Sequence, residues 1–266
     1  MSSEFSQIAT RYRETSLVQQ SAAETLFRVL AISDSDDVLD VGCGTGNLTQ
    51  KIRATTTGRV VGIDPAPGMI ERASREHGVG IEFAIASAEE MSFHEAFDII
   101  FCNSAFQWVH DADKAATRFA QALRPGGRLG IQAPACSDYC PNFLAAVAAV
   151  AADRDLAPIF AHFTSPWCFF EDAGEYAAVL ARQGLRVPFA EIQTVTSTHT
   201  PSQVFDIFAS GAIAGYLDPS CYGCAIDERY RTGFQQRVRE QFRQQAGADG
   251  QVCLVFRRIF LVAVKA

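Results

Sequence analysis

Two things are scarce in this 266-residue chain: long apolar runs and an excess of positive charge. No stretch of about 18 apolar residues occurs, so no segment is expected to cross a bilayer as a helix. The opening MSSEFSQIATRYRETS lacks the apolar core of a secretory leader, and the protein is expected to be cytoplasmic. Lysine and arginine total 23 against 30 acidic residues, a formal charge of -7. That balance gives no general attraction to phosphate backbones or anionic lipid, so neither nucleic acid nor membrane is an expected partner. Repeats and low-complexity tracts are missing as well. The length suits one large catalytic unit with a sizeable core, expected as a monomer or weak homodimer.

Cysteine is not scarce: there are 8. In a reducing compartment these are expected to stay as thiols. Cys136 with Cys140 and Cys221 with Cys224 have spacings that a four-thiolate zinc site would use, but neither pair carries the usual glycine-rich knuckle. No metal is expected.

The first half alternates strand-like and helix-like runs, the pattern of a mostly parallel sheet with helices on both faces. A helix is expected over 16–30. Short apolar runs then follow as DVLDV, RVVGID, IEFAIA, FDIIFCN and GRLGIQAP, each bounded by Gly, Asp or Pro. Helices fit between them over 48–54, 67–76 and 113–123. After Pro134 the rhythm changes to Ala, Phe and Trp without alternation. A helix over 173–183 and the strand-like LRVPFAEIQTV restore it; a second helical stretch spans 202–245, and QVCLVFRRIFLVAVKA closes the chain. The organisation read from this is an N-terminal helix and core over 1–134, a helical insert over 135–170, core over 171–200, a second helical insert over 201–248 and a last core strand over 249–266. The two inserts are expected to form a lid.

In a doubly wound sheet, ligands sit at the carboxyl ends of the strands. VLDVGCGTG places Gly42, Gly44 and Gly46 there, at the end of the first strand. Glycine reaches positive φ and has no Cβ, so such a loop can lie against a bulky ligand while the next helix offers its N-terminus. The second strand ends at Asp64, about 20 residues on, where a carboxylate can accept from both ribose hydroxyls. Asp40, two residues before the first glycine, would repel a pyrophosphate and attract an ammonium. The GxGxG spacing also differs from the GxGxxG of dinucleotide folds.

These blocks resemble the class I methyltransferases that use S-adenosylmethionine. The resemblance is carried by VLDVGCGTG, VGIDPAPGMI, ASAEEMSF, FDIIFCNSAFQWVHD and LRPGGRLGIQAP. It implies a Rossmann-like, seven-stranded, mostly parallel sheet and S-adenosylmethionine as cofactor. By the same resemblance Asp40, Gly42, Gly44 and Gly46 line the methionine and ribose, Asp64 holds the ribose, and Met69 packs near the adenine. Ser87, Ala88 and Glu89 flank the adenine edge, with Ser87 standing where many members carry Asp. Asn103 and Ser104 lie under the methionine end. FSQIATRYRETSLVQQSA is similar to the N-terminal helix of malonyl-carrier-protein methyltransferases, which implies that Tyr12 and Gln19 close over the cofactor. NSAFQWVHD, IFASGAIAGYL and the closing strand resemble trans-aconitate methyltransferases.

Both of those families methylate carboxylates. A carboxylate is already ionised at neutral pH, so transfer to it needs alignment and dehydration but no general base. No catalytic residue is therefore expected beyond a proximity mechanism. Phe106, Trp108, Phe163, Trp167, Phe169 and Tyr216 offer aromatic surface for a dry substrate pocket. Arg257 and Arg258 are adjacent on the last strand and face opposite ways, so only one can hold a substrate carboxylate; Arg257 is the expected one. The acceptor is expected to be a small organic acid or a carrier-bound acyl thioester with a free carboxylate. Methylation of O, N or C on a larger metabolite, with His110 or Tyr139 as base, is the alternative. A non-catalytic cofactor-binding protein is a third reading. His162 and His199 are assigned no role.

Overall fold

The computed structural model describes residues 17–266. Tyr12 lies outside the described residues, and of Gln19 only the backbone, in the first helix, is described.

Helix α1 (Leu17–Leu30) precedes strand β1 (Val38–Val41), helix α2 (Asn47–Thr55), β2 (Val60–Asp64), α3 (Pro67–His77) and β3 (Glu82–Ile85). The chain continues through β4 (Phe97–Asn103), α4 (Ala112–Ala122) and β5 (Leu123–Pro134). These five strands are parallel neighbours in the order β3-β2-β1-β4-β5. Alternation decides their faces. Val38, Ile99 and Phe101 join the core beneath α1 and α2, whereas Leu39, Val41, Ile100 and Cys102 join the core on the other face. The third strand was read as an apolar run, but it is the sheet edge, and its side chains are mostly exposed.

After β5 come α5 (Pro141–Ala151), α6 (Ala157–Phe160), α7 (Ala173–Ala181) and the 15-residue strand β6 (Leu185–His199). Next are α8 (Pro201–Ser210), α9 (Ala212–Tyr216) and α10 (Glu228–Gln244), then β7 (Val252–Lys265). Capping boxes fix two of these starts: Asp172 with Glu175 at α7, and Thr200 with Gln203 at α8. β7 slots between β5 and β6 and runs antiparallel to both, completing the order β3-β2-β1-β4-β5-β7-β6. The sheet is thus the expected seven-stranded, mostly parallel one.

The helical stretch expected over 202–245 consists of three helices. Gly211 breaks it after Ser210, and Pro219 begins a separate turn, Pro219–Cys221. Helices α5, α8, α9 and α10 share an apolar core built on Phe143, Phe208, Phe234, Phe242 and Tyr216, into which the start of β7 inserts Val252, Leu254 and Phe256. Among the described residues no helix is long and apolar enough to cross a membrane.

Candidate active site

The first glycine turn is built to bring backbone close to a cavity. Gly42 and Cys43 donate their N–H groups to the Ile63 carbonyl at 2.8 and 2.9 Å, tying the end of β1 to that of β2. Gly42 has φ +73, and a Cβ there would lie 2.2 Å from Ala105 Cβ, so no other residue fits. Gly44 has φ +54 and nothing within 4 Å of a would-be Cβ. That open cradle borders a cavity of about 630 Å³, within the size range of small-molecule sites.

At the end of β2, Asp64 is held by the backbone. Its Oδ2 accepts from Gly44 N at 3.0 Å and its Oδ1 from Ala66 N at 2.9 Å. Burial raises its pKa, and those two hydrogen bonds oppose the rise. Asp64 lines the cavity, as do Gly42, Gly44, Met69, Ser87, Ala88, Glu89 and Ser104. The structure thus brings residues from the carboxyl ends of four strands to one cavity.

Asp40, Gly46 and Asn103 do not line it, which corrects their expected direct contacts. Asp40 is 2% exposed beneath the glycine turn, and its Oδ2 accepts from Thr49 Oγ1 at 2.7 Å. Burial pushes its carboxyl up to about 7, with the Thr49 hydrogen bond pulling down and the charge of Asp64 adding to the rise. Gly46 caps α2, and the space beside it is closed by Phe83, Ala73 and His77. Asn103 is buried one layer back, where it reaches the cavity through Ser104 and Gln132. Ser104, a non-glycine residue at φ +56, donates its N–H to the Gln132 carbonyl at 2.6 Å. A left-handed serine costs energy, and such positions cluster at functional sites.

The amide of Gln132 satisfies its neighbours in one orientation only. Its nitrogen donates to Asn103 Oδ1 at 2.9 Å and to Ser104 Oγ at 3.2 Å, while its oxygen accepts from Arg258 Nη1 at 2.8 Å. Arg258 is 2% exposed, lines the cavity and stacks 4.7 Å from the Phe256 ring centroid. Arg257 is corrected: its side chain is 46% exposed and pairs with Asp138 at 3.0 Å, away from the cavity. Strand parity contained this answer, because Val252, Leu254 and Phe256 form the buried side of β7 and position 258 continues it.

Among the expected pocket aromatics, Trp108, Trp167 and Phe169 line the cavity, whereas Phe106, Phe163 and Tyr216 do not. Phe106 is buried in the sheet core beside Tyr176; Phe163 and Tyr216 belong to the helical core behind Trp167. The sequence reading missed Tyr139 as a wall residue, together with Phe143, Ile207 and Phe256. Nothing in their local pattern separates them from ordinary core. His110 also lines the cavity, as do Glu90, Asp111 and Lys114, and its backbone N–H donates to Glu89 Oε1 at 3.0 Å. His162 and His199 lie elsewhere, the latter bonded to Ser197 Oγ at 2.8 Å. Cys136 and Cys140 are buried, Cys221 and Cys224 half-buried, and no cluster of three metal-ligating side chains occurs among the described residues.

The glycine cradle fits a nucleoside-sized ligand, and residues 38–127 match a family described as a methyltransferase domain. Over those residues the chain is similar to methyltransferase domains. It is 36% identical over 129 residues to a malonyl-[acyl-carrier protein] O-methyltransferase of Acetivibrio thermocellus, covering 47% of this chain and 46% of that one, so this match spans about half of that relative's length. It is 28% identical over 254 residues to a trans-aconitate 2-methyltransferase of Methylobacterium nodulans, covering 91% of each chain. Among solved structures, the YcgJ protein of Bacillus subtilis shares the fold with a TM-score of 0.60 at 18% identity, over 92% of this chain and 98% of that one.

Proposed function

We propose that this protein transfers a methyl group from S-adenosylmethionine to a carboxylate oxygen of its acceptor. The observation that carries this reading is Arg258, a buried guanidinium lining the cavity and joined through Gln132 to Asn103 and Ser104. A guanidinium suits a carboxylate, whose oxygens its forked N–H groups can meet together.

The donor set fits the cofactor. Asp64 has lone pairs left for ribose hydroxyls, Met69 and Ala88 offer apolar contact for a purine, and Gly44 admits the ligand to the backbone. Glu89 and Ser87 are polar groups available near the purine. The chemistry the cofactor supplies when bound is an electrophilic methyl on a sulfonium: the C–O bond forms as the C–S bond breaks, the electron pair passing to sulfur.

The residues around the acceptor orient it and exclude water. No proton has to leave a carboxylate, and the base-dependent alternative has little support. Burial, with Tyr216 beside it, pushes the Tyr139 hydroxyl well above the ordinary phenol value, the wrong direction for a base at neutral pH. His110 lines the cavity with its backbone N–H donated to Glu89. We further propose that the helical segments over 135–170 and 201–248 form the lid of this site.

Incubation with methyl-labelled cofactor and a pool of organic acids tests the reading. Base-labile methyl esters are expected, with Arg258→Gln lowering kcat/KM at least about 100-fold. Label in base-stable products only would overturn it.

A further inference from the structure

The end of the cavity beyond Arg258 is mostly aromatic and aliphatic, the Tyr139 hydroxyl and Ser210 being its uncharged polar groups. Trp167, Tyr139, Phe169, Phe143, Phe256 and Ile207 supply its wall. The rings form a continuous surface: Tyr139 stacks on Phe169 with centroids 5.0 Å apart, and Trp167 meets Trp108 edge-on at 5.5 Å. Ser210 adds little polarity, because its hydroxyl already donates to the Ile207 carbonyl at 2.8 Å. Arg258 is the one Arg or Lys at this end among the described residues; Lys114 stands at the other, among acidic side chains.

Each carboxylate enclosed by such a wall needs a charged or hydrogen-bonding partner, or its desolvation cost outweighs the contact it makes. A di- or tricarboxylate would bring more charge than one guanidinium meets. A single carboxylate on an apolar body matches the inventory. The hydrogen-bonded path from Asn103 through Gln132 also puts Arg258 at the junction of the glycine cradle and the apolar end, so the group it holds is the group beside the methyl donor.

One backbone position sets the depth of that apolar end. Gly215, in α9, lies flat against the Trp167 indole, and a Cβ there would sit 2.4 Å from Trp167 Cζ2. The indole has Tyr216 behind it, with ring centroids 4.7 Å apart, so it has no room to retreat into the helical core. Any side chain at 215 drives it toward the cavity.

We propose that the acceptor is a monocarboxylic acid with a flat apolar body, its carboxylate on Arg258 and its body against Trp167, with Gly215 as the specificity-determining position. This rests on the carboxylate-methylation reading above. Arg258 serves as anion anchor and Trp167 as the wall whose placement selects the acceptor.

Both tryptophans of the chain border the cavity, so intrinsic fluorescence reads acceptor binding without turnover. The protein saturated with adenosylhomocysteine is titrated with phenylacetate, phenylacetamide and trans-aconitate, with calorimetry alongside. Phenylacetate is expected to bind at least about ten-fold more tightly than either of the others. Arg258→Gln should erase the preference for acid over amide. Gly215→Ala and, independently, Trp167→Ala should each weaken phenylacetate about ten-fold while moving adenosylhomocysteine affinity less than about two-fold. Trans-aconitate binding as tightly as phenylacetate would overturn the proposal, as would wild-type phenylacetate affinity in both variants. If adenosylhomocysteine itself fails to bind, the methyl-transfer reading falls first and this inference with it.

Discussion

Asp40 is the residue whose surroundings disagree most with its charge. A carboxyl pushed up to about 7 by burial holds its proton more tightly in the folded state than in the unfolded one. Native stability contributed by this group therefore falls as pH rises from about 4 to about 7 and stays low above that. Relative to Asp40→Asn, the ligand-free wild type should lose on the order of a few kcal/mol between pH 4.5 and 8, read by urea denaturation of both proteins. Parallel curves would remove the effect. Burial raises the pKa of Asp64 as well, but two backbone N–H groups oppose the rise and leave one edge of the carboxylate toward the cavity. Asp64→Ala should weaken adenosylhomocysteine roughly 30-fold by calorimetry, the loss of a charge-assisted pair of hydrogen bonds. Residue by residue, the cofactor end was legible because glycine and aspartate at a strand end carry a local signature. Arg258 was half legible: adjacency placed the two arginines on opposite faces, but choosing between them required following Val252, Leu254 and Phe256 along β7.

Among the elements, the turn after β1 is the least forgiving. At Gly42 a methyl group meets both a positive φ and the Ala105 side chain. Gly42→Ala should destabilise the fold by at least about 2 kcal/mol and weaken adenosylhomocysteine with it. Gly44→Ala faces open space and carries the strain alone, so its cost should be smaller; thermal melts of the pair give the comparison. Strands β1, β2, β4 and β5 announced themselves as short apolar runs between breakers. The edge strand β3 read the same way, because a run of four residues does not reveal whether its neighbours exist on both sides. The helical stretch over 201–245 was legible as a whole but not in its parts, because Ala- and Phe-rich sequence stays apolar across the Gly211 break and only packing fixes where the axis turns.

At the scale of the whole molecule, two cores meet at the cavity. One lies against the sheet; the other is the phenylalanine-rich cluster of α5, α8, α9 and α10. Phe208 is wholly buried in the second and touches Phe143, Tyr216 and Phe242. Phe208→Ala should cost about 3–5 kcal/mol in stability. Because the glycine cradle belongs to the sheet, adenosylhomocysteine affinity should survive at temperatures where the variant is still folded, whereas acceptor KM should rise. Comparable losses of both would mean that the cores do not act separately. Which aromatic side chains make a pocket and which make only core was the least legible layer of all. Phe106, Phe163 and Tyr216 differ from Trp108 and Trp167 by tertiary placement alone.

The strand order has a consequence for how this architecture diversifies. Everything up to Pro134 supplies the five parallel strands and the donor cradle, while the chain after it supplies the two outer strands β6 and β7 and all the helices of the second core. Pro134 is thus a seam. On the function proposed above, a graft made there should exchange most of the acceptor wall while leaving the glycine cradle in place, with residue 258 re-entering the sheet as the stitch between the halves.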